Sequence, residues 1–482
     1  MLLVAACTRD LGPTGSPPAR LDYVDGAIEP ILARGATIAI QGYGFGATQG
    51  TGAVHFARLG GGEVAAVVAD TTAWSNAAIR VAVPDSAVTG ALSVTTATGG
   101  RLTATVHIVP RVAFAATGLD WQHRTAAGFP QAPVGVALAA AEFPSGTALA
   151  ITLFAAGGAE PVVNGADTSL APDSGIYVAH AQPGGDVGAW VHQTDVADPI
   201  KSHVLPAPRA FAAAAVATPY NSRFTGIALY VLGGIDAAGV PQSTVFAADV
   251  SRDSVVSRFI PVEALPAPVA GAIAVVRRGR VYVIGGTDSA GRPRQTVFIG
   301  RIDPTGHIDG WYTAPALPGP RAYGGGIVLD DRVVAFGGVS DSVPPGGGLG
   351  TSPTRLATSD TAPASLVSGF VTGAWAPGAA LLPDGRSQFA TLDVGNAVLL
   401  VGGMYSGAAG NTAETLAADV VGDSLGPFTT AATASTIWGQ GGGTLVGPAG
   451  VTWRDADGTR HGIVLGGMDL ATRLRTAGVW GF

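Results

Sequence analysis

Three stretches of this chain restate one another at a fixed interval. Leu205-Pro-Ala-Pro-Arg209 leads into a run of small apolar residues, 210–217, and then into Ala228-Leu-Tyr-Val-Leu-Gly-Gly234. The order returns in Leu265-Pro-Ala-Pro268, the run 270–276 and Arg280-Val-Tyr-Val-Ile-Gly-Gly286. It returns again in Leu317-Pro-Gly-Pro-Arg321, the run 322–329 and Arg332-Val-Val-Ala-Phe-Gly-Gly338. The second glycines fall at 234, 286 and 338, two equal steps of 52 residues. A period near 50 with several short apolar strands per unit is the pattern of propeller blades. Tyr230-Val-Leu232 and Tyr282-Val-Ile284 are continuous apolar runs, as expected of strands covered on both faces. The Pro-rich turn presets φ and cannot enter a central strand. The paired glycines mark a place where no side chain fits or where φ is positive.

The same strand-plus-Gly-Gly ending recurs at Gly157-Gly158, Gly402-Gly403 and Gly466-Gly467, which makes six units with insertions in the longer ones. Trp190, Trp311 and Trp375 each precede the next Pro-rich turn, with Phe259 in the same place in another unit. This arrangement resembles the kelch repeat, and the resemblance implies a six-bladed propeller over 111–482. After Gly467 the chain has room for one more strand, 476–482, so the last blade lacks its fourth strand. Leu119-Asp-Trp121, followed by a Pro-containing turn, is expected to supply it from the other end, closing the ring without an open edge.

Residues 21–110 read differently. Ile38 and Ile40 alternate with Thr37, Ala39 and Gln41, and short strands follow between Gly-rich turns. Gly42-Tyr-Gly-Phe-Gly46, Trp74-Ser75 and Val83-Pro84 resemble the hallmarks of the IPT/TIG domain, which implies an immunoglobulin-like β-sandwich. The glycine-rich turn is no phosphate loop, since no helix pattern follows and no Lys ends it. The fold class expected is therefore all-β, a sandwich followed by a propeller. Composition agrees: Gly 71 and Pro 33 in 482 residues, with only 13% charged, disfavour helices.

The first residues contain Val4-Ala5-Ala6-Cys7, which resembles a bacterial lipobox lacking the basic start and most of the apolar stretch that precede one. The resemblance implies acylation at Cys7, a flexible tether through 20 and export to the cell envelope. Thr8, where an inner-membrane protein would carry Asp, implies the outer membrane in a Gram-negative cell. Cys7 is the only cysteine, so no intrachain disulfide forms. A net charge of −7 offers no basic footprint for nucleic acid, and no apolar run reaches the roughly 18 residues of a spanning helix.

A ligand is expected at the propeller's mouth. In peptide-binding kelch proteins an Arg ends the Pro-rich turn, which carries that role to Arg209, Arg321 and Arg386. Blade three has Val269 there, and an Arg that bonds nearby carbonyls is the competing assignment. Asp236, Asp288 and Asp469 follow Gly-Gly, with Asp341 one place later, and are expected to bond their own turns. Asp455-Ala-Asp-Gly458 lacks the remaining ligands of a calcium loop and reads as a hairpin. The eight histidines lack metal spacing, and no Gly-x-Ser-x-Gly elbow is present. Galactose oxidase, on a kelch-type propeller, needs a Cys crosslinked to Tyr, which a single Cys at position 7 excludes. The expectation is a monomeric, non-catalytic surface lipoprotein, without metal or cofactor, that recognises a protein or glycan. The alternatives are a sugar epimerase or mutarotase, which would need an acid/base pair in the mouth, and a purely structural surface component.

Overall fold

The computed structural model describes residues 17–482 except 28, 69, 117–118, 126–127, 146–147, 165–166, 194–202, 218–226, 252–255, 304–305, 330, 344–352, 366–369, 407–413, 423, 434–444 and 470–477. Cys7 and most of the tether lie outside the described residues. Every regular element among those described is a β-strand, and they fall into two compact units, 1–110 and 111–482.

In the first unit a three-stranded sheet (Arg20–Val24, Thr37–Tyr43, Ala78–Ala82) and a five-stranded sheet share one apolar core. Ile38, Ile40, Val54, Phe56, Val81, Leu92 and Val94 fill it. Ala39 is buried as well, a departure from strict alternation: a methyl on the middle strand is covered by its neighbours even on the outer face. The glycine-rich turn folds Phe45 into the core, where its carbonyl accepts the Trp74 indole N–H at 3.3 Å. Gly42 must be glycine, because a Cβ there would lie 2.2 Å from the Arg20 carbonyl oxygen.

Among the described residues the second unit is built around six antiparallel sheets of four or five strands, with three two-stranded pairs beside them. The first strands of the six sheets are Ala137–Ser145, Ala213–Ala217, Ile273–Arg277, Gly325–Val328, Ala390–Asp393 and Ala449–Arg454. Each of these packs beside the next, and the last packs beside the first, so the six make a closed cycle around a channel. The second strands end at the six Gly-Gly pairs. Apolar clusters fill the spaces between neighbouring sheets; one combines Leu229 and Val231 with Phe154 and Val178, another Tyr282 and Ile284 with Val333 and Ala335. An extra hairpin, Ala159–Asn164 with Asp167–Pro172, is inserted in the first sheet.

At the outer rim an aromatic stands at the start of or within each fourth strand: Trp190, Phe259, Trp311, Trp375, Phe428 and Trp121. The sixth sheet draws on both ends of the unit. Val479–Gly481 pairs with Arg460–Leu465 on one side and with Gln122–His123 on the other, Trp480 opposite His123 and Gly481 opposite Gln122.

Candidate functional site

Two circuits of backbone hydrogen bonds join the six sheets at the end where the first strands begin. In the inner circuit Phe211 N–H donates to the Gly135 carbonyl, Gly271 to Phe211, Tyr323 to Gly271, Gln388 to Tyr323, Gly447 to Gln388 and Gly135 to Gly447. All six bonds measure 2.7–3.0 Å. All six residues have φ between 52° and 68°, so three are glycines and three, Phe211, Tyr323 and Gln388, hold a conformation that L residues rarely adopt. The two large rings lie over the circuit's glycines. A Cβ on Gly135 would sit 2.6 Å from the Phe211 ring, and one on Gly271 would sit 2.3 Å from that of Tyr323.

The outer circuit explains the glycine pairs. The second glycine of each sheet donates its N–H to a carbonyl of the next: Gly158 to Arg209, Gly234 to Val269, Gly286 to Arg321, Gly338 to Arg386, Gly403 to Leu445 and Gly467 to Pro133, all at 2.7–2.9 Å. The first glycine makes room for that same oxygen, since a Cβ would approach it to between 2.0 Å at Gly285 and 2.8 Å at Gly337.

Arg209, Arg321 and Arg386 therefore supply carbonyls to this circuit, and their side chains turn inward; each is no more than 3% exposed. Arg321 donates to the Gly337 carbonyl, to Thr358 O at 3.2 Å and to Asp360 Oδ2 at 2.9 Å. Burial lowers its guanidinium below the ordinary range, against the pull of Asp360. Arg386 donates to the Gly402 carbonyl at 3.2 Å and lies over the Tyr405 ring. Arg209 bonds Pro208 O and Thr244 Oγ1 and lies over Phe246. The geometry gives all three a structural role, bracing their own sheet's turn instead of facing a ligand at a mouth.

Two of the aspartates after Gly-Gly, Asp236 and Asp288, cap their turns. Asp236 Oδ1 accepts from the N–H groups of Ala238 and Val240, and Asp288 Oδ1 from those of Ala290 and Arg292. Asp341 Oδ2 accepts from Thr354 N–H at 2.9 Å. Asp455 and Gly458 close a hairpin, and Asp455 Oδ2 also reaches His461 Nε2 at 3.1 Å. No grouping of His, Cys, Asp and Glu among the described residues could hold a metal ion. His180 lies beside Thr152, and His192 stacks on Tyr177.

The channel itself is a cavity of about 400 Å³, lined mainly by alanine and glycine from all six first strands. Its polar side chains, Thr391, Asp393 and Thr452, belong to the fifth and sixth sheets, and Asp393 ends its strand. Thr452 Oγ1 donates to the Asp393 carbonyl at 2.8 Å, joining these two sheets. Beyond them stand Arg454, bonded through Nε to Glu142 Oε2 at 3.0 Å, and Arg460, its partner across the hairpin. The opposite end holds a smaller space of about 130 Å³ inside the inner circuit. An apolar layer that includes Val134, Phe211, Ile235, Tyr323, Val339 and Met468 packs around that end. The two ends thus differ in kind: one packed with apolar side chains and joined by backbone bonds, the other carrying Thr452 and the charges of Asp393, Arg454 and Arg460.

The sequence concealed this division. The inner-circuit residues were detectable in principle, because Gly135, Gly271 and Gly447 align with Phe211, Tyr323 and Gln388 just before each first strand. Asp393 and Arg460 carry no such sign, since no repeat position is shared between them.

No family model matches the chain, and no curated protein matches it. Among solved structures, one described as "Structure of YjhT" is similar with a TM-score of 0.44 and 14% sequence identity, over 71% of this chain and 92% of that one.

Proposed function

We propose that residues 111–482 form a six-bladed kelch-type β-propeller and residues 21–110 an IPT/TIG-type immunoglobulin-like spacer. On this reading the chain is an exported lipoprotein anchored through Cys7. It recognises a protein or glycan at the hairpin end of the propeller channel and does no chemistry on it. The observation that carries the binding role is the uneven channel. Small side chains leave space along its length, and Asp393 and Thr452, joined by a hydrogen bond, lie farther along it from the backbone circuits than Thr391 does. A concave, largely apolar space with a few placed polar groups is the usual form of a ligand site.

The test is to screen the full chain on glycan and peptide arrays, then repeat the hits with Ala274→Trp. Ala274 lines the channel, so the indole fills open space. Binding should fall at least tenfold while the circular dichroism spectrum is unchanged. A hit bound equally well by Ala274→Trp, or turnover of the captured molecule, would overturn the reading.

A further inference from the structure

We infer that Arg460 anchors an anion-binding point at the hairpin end of the channel and takes a singly charged carboxylate on the ligand. The inference deepens the binding role proposed above and rests on it for the place; the chemistry stands on the following geometry. Arg460 opens the second strand of the sixth sheet and is half-buried. Among the described residues its guanidinium has no hydrogen-bond or ion-pair partner, whereas Arg454 opposite it is joined to Glu142. Removing a cation from water without a partner is costly, and a bound anion would offset that cost.

The Arg460 guanidinium is packed beside the neighbouring sheet. It lies against the hairpin of the fifth sheet at Gly395, where a Cβ would come within 3.2 Å of Nη2. Gly395 has φ +87°, so a side chain there is disfavoured on backbone grounds too. Its N–H donates to Asp393 Oδ1 at 2.8 Å, which fixes the carboxylate that lines the channel near Arg460. Burial and then the Arg454 charge lower the Arg460 guanidinium, while Asp393 and Glu142 work against them.

These surroundings also select the anion. Arg454 and Arg460 are balanced by Glu142 and Asp393, so no surplus positive charge awaits a dianion. A planar guanidinium offers parallel N–H donors matched to the two oxygens of a carboxylate. Asp393, whose charge acts on Arg460, repels additional negative charge and accepts from a ligand hydroxyl or ammonium group.

The experiment is an NMR titration of the full chain with acetate, with inorganic phosphate and chloride at matched ionic strength for comparison. It follows the Arg460 Nε–H signal, assigned by its loss in Arg460→Gln, and the Gly395 amide. Acetate should shift both saturably, chloride neither, and phosphate should bind more weakly than acetate. Asp393→Asn should tighten acetate at least threefold by removing a like charge. In Arg460→Gln the Gly395 response to acetate should vanish while the amide spectrum stays dispersed. A linear response matching chloride, phosphate binding tighter than acetate, or a Gly395 shift that survives Arg460→Gln would each overturn the inference. An array ligand indifferent to Arg460→Gln would sink it and leave the binding role standing. Saturable acetate binding with no array ligand would do the reverse.

Discussion

At the scale of single residues, the glycine pairs connect sequence to assembly. A strand could end at many residue types, but only glycine lets the next sheet's carbonyl enter the space of a Cβ and accept a hydrogen bond one residue later. At Gly285 the clash distance would be 2.0 Å and φ is +66°, so an alanine there meets both steric and backbone resistance. Gly319 has neither problem: no atom lies within 4 Å of a Cβ built on it. Gly285→Ala should therefore destabilise the protein by about 3 kcal/mol, combining left-handed backbone strain with a weakened inter-sheet bond. Gly319→Ala should stay within about 0.5 kcal/mol. Urea unfolding of both variants beside the parent measures the difference; equal midpoints would show that the outer circuit contributes little.

At the scale of elements, legibility followed the strength of local chemistry. Gly-Gly, Pro-x-Pro and continuous apolar runs each restrict the backbone on their own, so the second strands and the turns were readable. The aromatic of the fourth strand was readable at the tryptophans and at Phe259. In the fifth sheet the same place is taken by Phe428, which stands farther from the start of the next sheet than Trp311 and Trp375 do from theirs. The three arginines were legible as a repeated position but not in direction, because burial depends on neighbouring sheets that no local pattern encodes. Asp393 and Arg460 were invisible for the same reason, lying in separate sheets brought together by the closed cycle. Phe428 is 3% exposed and packs against Phe336 with ring centroids 5.4 Å apart. Phe428→Ala should cost about 3–4 kcal/mol by leaving a cavity between the fourth and fifth sheets, and Phe428→Trp much less. Chemical denaturation of the pair separates a packing role from a mere edge position.

At the scale of the whole molecule, the cycle of 111–482 has one seam at which the sheet's strands come from opposite ends of the unit. Val479–Gly481 sits in the sixth sheet between Arg460–Leu465 and Gln122–His123. Val479 is fully buried, Trp480 packs on His123 with ring centroids 3.6 Å apart, and the terminal Phe482 meets Phe114 and Trp121. The segment before Gln122 is held independently of that strand. Phe114 exchanges hydrogen bonds with the Asn396 side chain, and the Trp121 indole donates to Thr415 Oγ1, both in the fifth sheet. Deleting residues 477–482 should thus leave Gln122–His123 in place but without a partner. It should also expose the edge of Arg460–Leu465 together with the apolar surface that Val479 and Phe482 now cover. Unpaired backbone and bare apolar surface at one edge favour both unfolding and edge-to-edge association. The truncated chain should melt well below the parent and aggregate as it does so. Val479→Ala should be milder, losing about 1–3 kcal/mol while keeping the strand paired. Thermal unfolding followed by light scattering ranks the three proteins. A truncated chain that melts with the parent would mean that the cycle holds without its C-terminal strand and that the circuits at the other end suffice to close it.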